Sequence, residues 1–381
     1  MNAGLGPHHC KRHADRQAAL PAKPHTGATP DWMQGPVRAS STMRRMAHMA
    51  YRCRMPNTAD TKRRLWIAGL LAGFWPATGD LWAANETYLG AYFPYREFGA
   101  LSATRLEIGG GVLTVAFAPG ELRLPARAVL DWVGRRAGAV ALYFGRLPDP
   151  NAKLLIVPAS GNGIRGGTTW GFRGAASRIF LGRDTTEERL QQDWVLVHEL
   201  VHHAMPGLED RHHWMEEGLA TYVEPVARAQ SGELRVESVW ADLMNNLHEG
   251  LPKAGDQGLD NTPTWGRTYW GGALYFLLAE IEIRRRTNNQ RGLQDALRAL
   301  VAAGANIGQE WPIDKVLAVA DAGTGNTVLR EIYGRMKDTP VTVNLEELWK
   351  SLGVSMAGGE VHFDDAAPQA AIRLAITRPR P

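Results

Sequence analysis

Cysteine is nearly absent. The chain of 381 residues carries two, Cys10 and Cys53, and none beyond them. Past residue 53 this excludes a disulfide, a thiolate nucleophile and a cysteine-based metal site. It also leaves no lipoprotein-type anchor after the apolar run Leu65–Trp75. That run has eleven residues, too few for an ordinary membrane span. A basic surface is missing too, although the net charge of +4 suggests one. Residues 1–84 hold 12 of the 43 Lys and Arg and 4 of the 39 Asp and Glu, leaving 31 against 35 in the remainder. The basic excess belongs to the leader, and nucleic acid is not an expected partner. The glycine-rich stretch 161–174 lacks the G-x-x-x-x-G-K-[ST] pattern of a phosphate loop. It reads as a loop or an edge strand near a cleft. No internal repeat is found.

What is present divides the chain. Residues 1–54 are rich in His, Arg, Pro, Gly and Met without periodicity. They read as a disordered leader or an over-extended reading frame, with translation starting at Met43, Met46 or Met55. Lys62, Arg63 and Arg64 precede the apolar run, and small residues follow up to Ala84. Residues 55–84 therefore have the layout of a secretory signal peptide. The expectation is a protein exported to the periplasm or medium and free of the membrane after cleavage. Residues 85–225 are mixed, with extended stretches around 91–93 and 111–118, a helix from Pro125 to Phe144, and strands at 153–157 and 177–181. Residues 226–381 read as a mainly helical subdomain. A long loop covers about 230–268, helices follow at 269–286, 292–303, 313–321, 328–336 and 345–352, and the tail from Gly358 is weakly structured.

Histidine is unevenly placed. Seven of the twelve lie after residue 84, and five of these fall between His198 and His213. His198, Glu199, Leu200, Val201 and His202 form an H-E-x-x-H pattern. On a helix, residues four apart share a face, so both imidazoles can reach one ion. The spacing predicts one long helix from Asp184 to Met205, capped by Asp184 or Thr185 and ended by Pro206 and Gly207. Were the histidines merely hydrogen-bonded in a core, Glu199 would be a buried carboxylate without purpose. A catalytic zinc takes three protein ligands and keeps one position for water. Glu217, fifteen residues past His202 at the start of a second apolar-patterned helix, is the best third ligand. His203 points about 100° away from His202. His212 and His213 read as loop histidines near the cleft, and Glu216 as a surface carboxylate. Glu199 adjoins a ligand and can take a proton from water. Glu224 lies two turns past Glu217. It either accepts the second ring N–H of a ligand histidine or is a solvated charge.

The order of these pieces resembles the gluzincin metallopeptidases, especially the glycyl aminopeptidase family and the aminopeptidase N catalytic domain. Tyr143 to Pro148 and Leu154 to Pro158 resemble the strand entering that domain. Thr169, Trp170 and Gly171 resemble the end of its Gly-Ala-Met-Glu-Asn-Trp-Gly edge strand. His198 to His202 and Trp214 to Ala220 match the two zinc motifs. Tyr269 to Ala273 resembles Y-x-K-G-A, with helical matches through Leu278–Thr287 and Leu293–Arg298. Together they span about residues 125–352. The resemblance implies an α+β, thermolysin-like zincin domain with a small mixed sheet and a helical C-terminal subdomain. It implies one zinc per chain held by His198, His202 and Glu217, with Glu199 as general base and Tyr269 donating to the oxyanion. It further implies a peptide or protein substrate. Two departures stand out. Thr168 occupies the place of the glutamate that binds a substrate α-amine, and Gly271 that of the lysine. The other readings are a non-catalytic zincin-fold binding protein and a zinc amide hydrolase acting on cell-wall peptides.

Overall fold

The computed structural model describes residues 86–379. The leader, the signal-peptide segment 55–84 and both cysteines lie outside the described residues. Two short helices, α1 (Glu86–Leu89) and α2 (Tyr95–Ala100), lead into the hairpin β1 (Ala103–Ile108) and β2 (Gly111–Phe117). Gly109 and Gly110 form its turn at φ 54° and 75°, the positive pair that a two-residue hairpin of this twist requires. Helix α3 (Ala126–Phe144) crosses to β3 (Asn151–Ala159), and β4 (Ile164–Trp170) and β5 (Ala176–Gly182) complete the sheet. The strand order is β1-β2-β3-β5-β4. Pairs β2–β3 and β3–β5 are parallel, while β4 runs antiparallel on the outer edge.

Alternation along the strands explains the layers. Leu113, Val115, Leu154, Ile156, Ile179 and Leu181 face the helices and join the main core. Ala116, Leu155, Val157, Trp170 and Ala176 face the other way, where Tyr88, Phe93 and Phe98 cover them. This is the period-two signature of a strand buried on both faces. Residues 91–93, expected to be extended, form no strand, and 91 and 92 bend instead. Phe93 is pulled into that second core and packs its ring 5.8 Å from Trp170.

The helical part follows. It comprises α4 (Glu187–Gln191), α5 (Val195–Val201), α6 (His213–Gln230) and α7 (Val236–Asn246). A π-helical turn at Gly266–Gly271 leads into α8 (Gly272–Arg286). Then come α9 (Leu293–Ala302), α10 (Ile313–Thr324), α11 (Val328–Met336) and α12 (Leu345–Leu352). The hairpin β6 (Val354–Ala357) and β7 (Glu360–Phe363) precedes α13 (Ala370–Thr377). Two expectations need correction. The supposed loop 230–268 contains α7, whose Val239, Trp240 and Leu243 are buried. The tail from Gly358 is ordered because buried Arg373 bonds the carbonyl of Gly353 and Gln230 bonds that of Ile376. Among the described residues, no helix is long and apolar enough to cross a membrane.

Helices α6 and α8 touch backbone to backbone. A Cβ on Gly218 would lie 2.3 Å from Gly272 Cα, and one on Gly272 would lie 2.3 Å from Trp214 O. Only two glycines permit this approach, and it sets the π-turn beside the start of α6. Gly218→Ala is expected to lower stability by about 1–3 kcal/mol through overpacking. Gly134→Ala, in α3 with nothing within 4 Å of its Cβ, should instead gain about 0.5–1 kcal/mol from reduced chain freedom. Urea unfolding of the two variants checks the contrast. A neutral Gly218→Ala would show that the helices can part without cost.

Candidate metal centre

The expected long helix is broken. Thr186, rather than Asp184 or Thr185, caps α4 by accepting from the Arg189 N–H at 3.2 Å. Asp193 then interrupts the run. Its two carboxylate oxygens accept from the N–H groups of Val195 and Leu196, each at 3.1 Å. Such side chains compete with the backbone for its donors and so start helices rather than continue them. Burial pushes the Asp193 carboxyl up, against those two hydrogen bonds. Helix α5 therefore starts at Val195, three residues before His198. It ends in a single tighter turn, His202–Ala204, but the His202 N–H still bonds His198 O, so the four-residue spacing survives.

That spacing does what the sequence suggested. The rings of His198 and His202 lie 4.9 Å apart, near perpendicular. Glu217 enters from the first turns of α6. Its Oε2 is 3.2 Å from His198 Nε2 and 3.6 Å from His202 Nε2. One ligand atom from each of the three residues lies within 4.8 Å of the others, and all three residues are buried. Burial pushes His198 down, but the Glu217 carboxylate more than offsets this and holds it above its ordinary value. Burial would raise Glu217, yet His202 and His198 draw it well below the usual carboxylate range. Glu217 Oε1, His202 Nδ1 and Glu199 Oε1 are buried without hydrogen-bond partners. Two imidazoles and a carboxylate converging with a carboxylate oxygen unsatisfied are the donor set of a borderline cation such as zinc.

The neighbours differ from expectation in several places. Glu216 is buried, not superficial, and its Oε1 accepts from the Leu208 N–H at 3.1 Å. His212 is fully buried, with Nδ1 3.1 Å from Asp260 Oδ1. His213 is half exposed, and its Nε2 lies 3.6 Å from Glu217 Oε1. Glu224 is buried, which removes the solvated reading. Its hydrogen bond comes from Arg228 Nη1 at 2.6 Å, one turn along α6, rather than from an imidazole. Burial raises it to about 7 in spite of Arg228. Tyr269 is half-buried in the π-turn, its ring stacked 6.4 Å from that of His198.

Sequence reasoning missed Thr169. Its hydroxyl lies 2.6 Å from Glu199 Oε2. Thr168 stands where the resemblance places the amine-binding acid. The register pairs it with Arg178, and Thr169 with Ser177. Directly opposed residues share a face, so Thr168 points away from the face that meets Glu199. Gly167, on the near face, leaves no space for a side chain, since a Cβ there would lie 2.8 Å from Glu199 Oε1.

No protein-family model and no curated protein sequence matches the chain. Among solved structures, it is similar to an aminopeptidase N family protein from Idiomarina loihiensis. The TM-score is 0.52 at 15% identity, over 67% of this chain and 49% of that one. An M1 zinc metallopeptidase from Deinococcus radiodurans aligns over 63% of this chain and 52% of that one, with a TM-score of 0.42 at 18% identity. The chain thus spans about half the length of these proteins. Over the aligned part its fold is that of the aminopeptidase N family protein, which bears out the α+β zincin architecture.

The three-ligand geometry predicts about one zinc per chain by elemental analysis of the purified protein. His202→Ala and Glu217→Ala should each lose most of it. Full retention in both variants would reject the centre.

Proposed function

We propose that the chain is a zinc-dependent peptidase. The observation that carries this is the convergence of His198, His202 and Glu217 next to a buried carboxylate, Glu199, that binding of a metal does not require. Zinc held by those three residues would supply a Lewis acid that lowers the pKa of water and polarises a carbonyl oxygen. Glu199, one residue along α5 from His198, takes the proton from the attacking water and delivers it to the departing amine. Tyr269 donates its phenolic hydrogen to the carbonyl oxygen as negative charge develops there, the usual work of a preorganised donor. The edge strand β4 presents its free backbone side to an extended substrate, which can pair with it as a further strand. The likeness in fold to the aminopeptidase N family protein supports a peptide as the class of substrate.

The substrate end follows from Thr168. A strict aminopeptidase needs an acid for the α-ammonium, and Thr168 offers none and faces away. We infer a cleft that accepts an extended chain, and a free N-terminus is not required. For localisation, we infer export directed by residues 55–84, on the strength of Lys62–Arg64, the apolar run and the small residues after it.

Glu199→Gln should keep its zinc and lose most peptide hydrolysis on a peptide library, about a hundredfold or more. A variant as fast as the parent would reject the base. Tyr269→Phe should depress kcat about tenfold or more while leaving KM near its parental value, and an unchanged kcat would reduce Tyr269 to packing. A peptide and its acetylated form should both be cut, and abolition by acetylation would mean that another residue anchors the amine. Mass spectrometry of the N-terminus from native cells should find cleavage near Ala84, and an intact Met1 in the cytoplasm would defeat the export reading.

A further inference from the structure

Glu199 is gripped from one strand. Period two along β4 turns Gly167 and Thr169 toward α5, and both meet this carboxylate. Thr169 Oγ1 lies 2.6 Å from Glu199 Oε2 and 2.9 Å from Ser177 Oγ, and Ser177 Oγ lies 2.8 Å from His203 Nε2. All four side chains are buried. Resting on the reading of Glu199 as general base, we propose that Thr169 is its positioning residue. The hydroxyl anchors Oε2 and thereby leaves Oε1 as the oxygen that exchanges protons with the substrate water.

The hydrogen inventory permits one consistent arrangement with an ionised carboxylate. A carboxylate only accepts, so Thr169 donates to Oε2 at 2.6 Å, the nearer of its two acceptors; the other is the Glu199 carbonyl oxygen at 3.1 Å. Its oxygen then accepts from the Ser177 hydroxyl, and Ser177 accepts from His203 Nε2–H. Each hydroxyl donates once and accepts once, and His203 is the Nε2–H tautomer. Its other nitrogen, Nδ1, is buried with no partner, as this tautomer requires of a bare acceptor. The chain of donors therefore ends on Oε2. Oε1 has no hydrogen-bond partner, and the strand beside it carries Gly167, where a Cβ would come within 2.7 Å of Glu199 Cγ. One face of β4 thus splits the carboxylate into a held oxygen and a working one. A purely structural hydroxyl would satisfy the buried serine and histidine equally well without touching Glu199, and Thr169 touches it at hydrogen-bond distance. Helix α5 alone fixes the Glu199 backbone but not the turn of its carboxylate about the last bond, which is broad and roughly two-fold in carboxylates.

The test uses the full zinc-loaded chain with Thr169→Val, which keeps shape and removes the hydroxyl, and Thr169→Ser, which keeps the hydroxyl. Expected for Thr169→Val is a fall in kcat of roughly 10- to 100-fold, within the range of acid–base contributions, with KM and zinc content within about twofold. Thr169→Ser should return kcat to within about threefold of the parent. Crystal structures of zinc-loaded parent and Thr169→Val should show Glu199 Oε2 bonded to Thr169 in the first and a turned carboxylate in the second. Parental kcat in Thr169→Val, or an unmoved carboxylate without the hydroxyl, overturns the proposal. Should the parent cut no peptide, the functional reading fails on its own and the crystallographic comparison still decides this one. Should Thr169→Val not fold, Ser177→Ala removes the second link. A few-fold loss of kcat with zinc retained is then expected, and no loss overturns it.

Discussion

The burial of one carboxylate governs the centre of this molecule. Glu217 is 1% exposed, and a charge taken out of water at that depth needs compensation from close partners. The partners are two imidazoles carried by a different helix. Their meeting fixes where α5 crosses α6, and hence where the sheet must lie above them. Each support around the crossing can be traced to a residue. Asp193 starts α5 at the right place by taking two of its free N–H groups. Gly218, the next residue after Glu217, lets α6 lie against α8 at backbone distance. That contact in turn brings the π-turn and Tyr269 beside His198.

A second tier of buried charge stiffens the frame behind the centre. Arg136 binds Glu233, Arg267 binds Asp256, and Arg284 binds Glu280, with both partners of the last two pairs nearly inaccessible. Asp260 collects His212, Trp214 and Tyr333 in one carboxylate, with distances of 3.1, 2.7 and 2.9 Å. Losing one partner of such a group strands the other, at a cost of about 3–5 kcal/mol. These groups tie the start of α6 to α11 and to the segment between α7 and α8. The wall of the cleft opposite the sheet therefore has a defined position. Of the residues that do this, only Trp214 belongs to a motif visible in the sequence.

Much of this was legible in the sequence. The H-E-x-x-H spacing, the convergence of Glu217 on it, the helix from Pro125 to Phe144, and the helices 328–336 and 345–352 needed only periodicity, spacing and caps. What failed did so for specific reasons. The helix through His198 was drawn too long because Gln192, Asp193 and Trp194 do not interrupt its apolar pattern, while Asp193 bonds its own backbone neighbours. Helix α7 was hidden because its apolar face is narrow. Glu216 reads as a surface carboxylate, His212 as a loop histidine and Glu224 as either an imidazole's partner or a solvated charge, because charged residues are usually exposed; pairing is what makes their burial tolerable.

The sequence by itself determined which three residues converge as the candidate metal site, the mixed class of the fold and the absence of thiol chemistry past residue 53. These follow from residue types and from spacings within one helix or between two successive ones, where geometry is local. Only the tertiary structure decided which groups touch Glu199. Thr169 and Glu199 are thirty residues apart, and their contact depends on the antiparallel register of β4 on β5. A slip of one residue would turn Thr168 toward the centre in place of Thr169. No local pattern carries that information, because register is set by every pair in the sheet and by the helices packed beneath it.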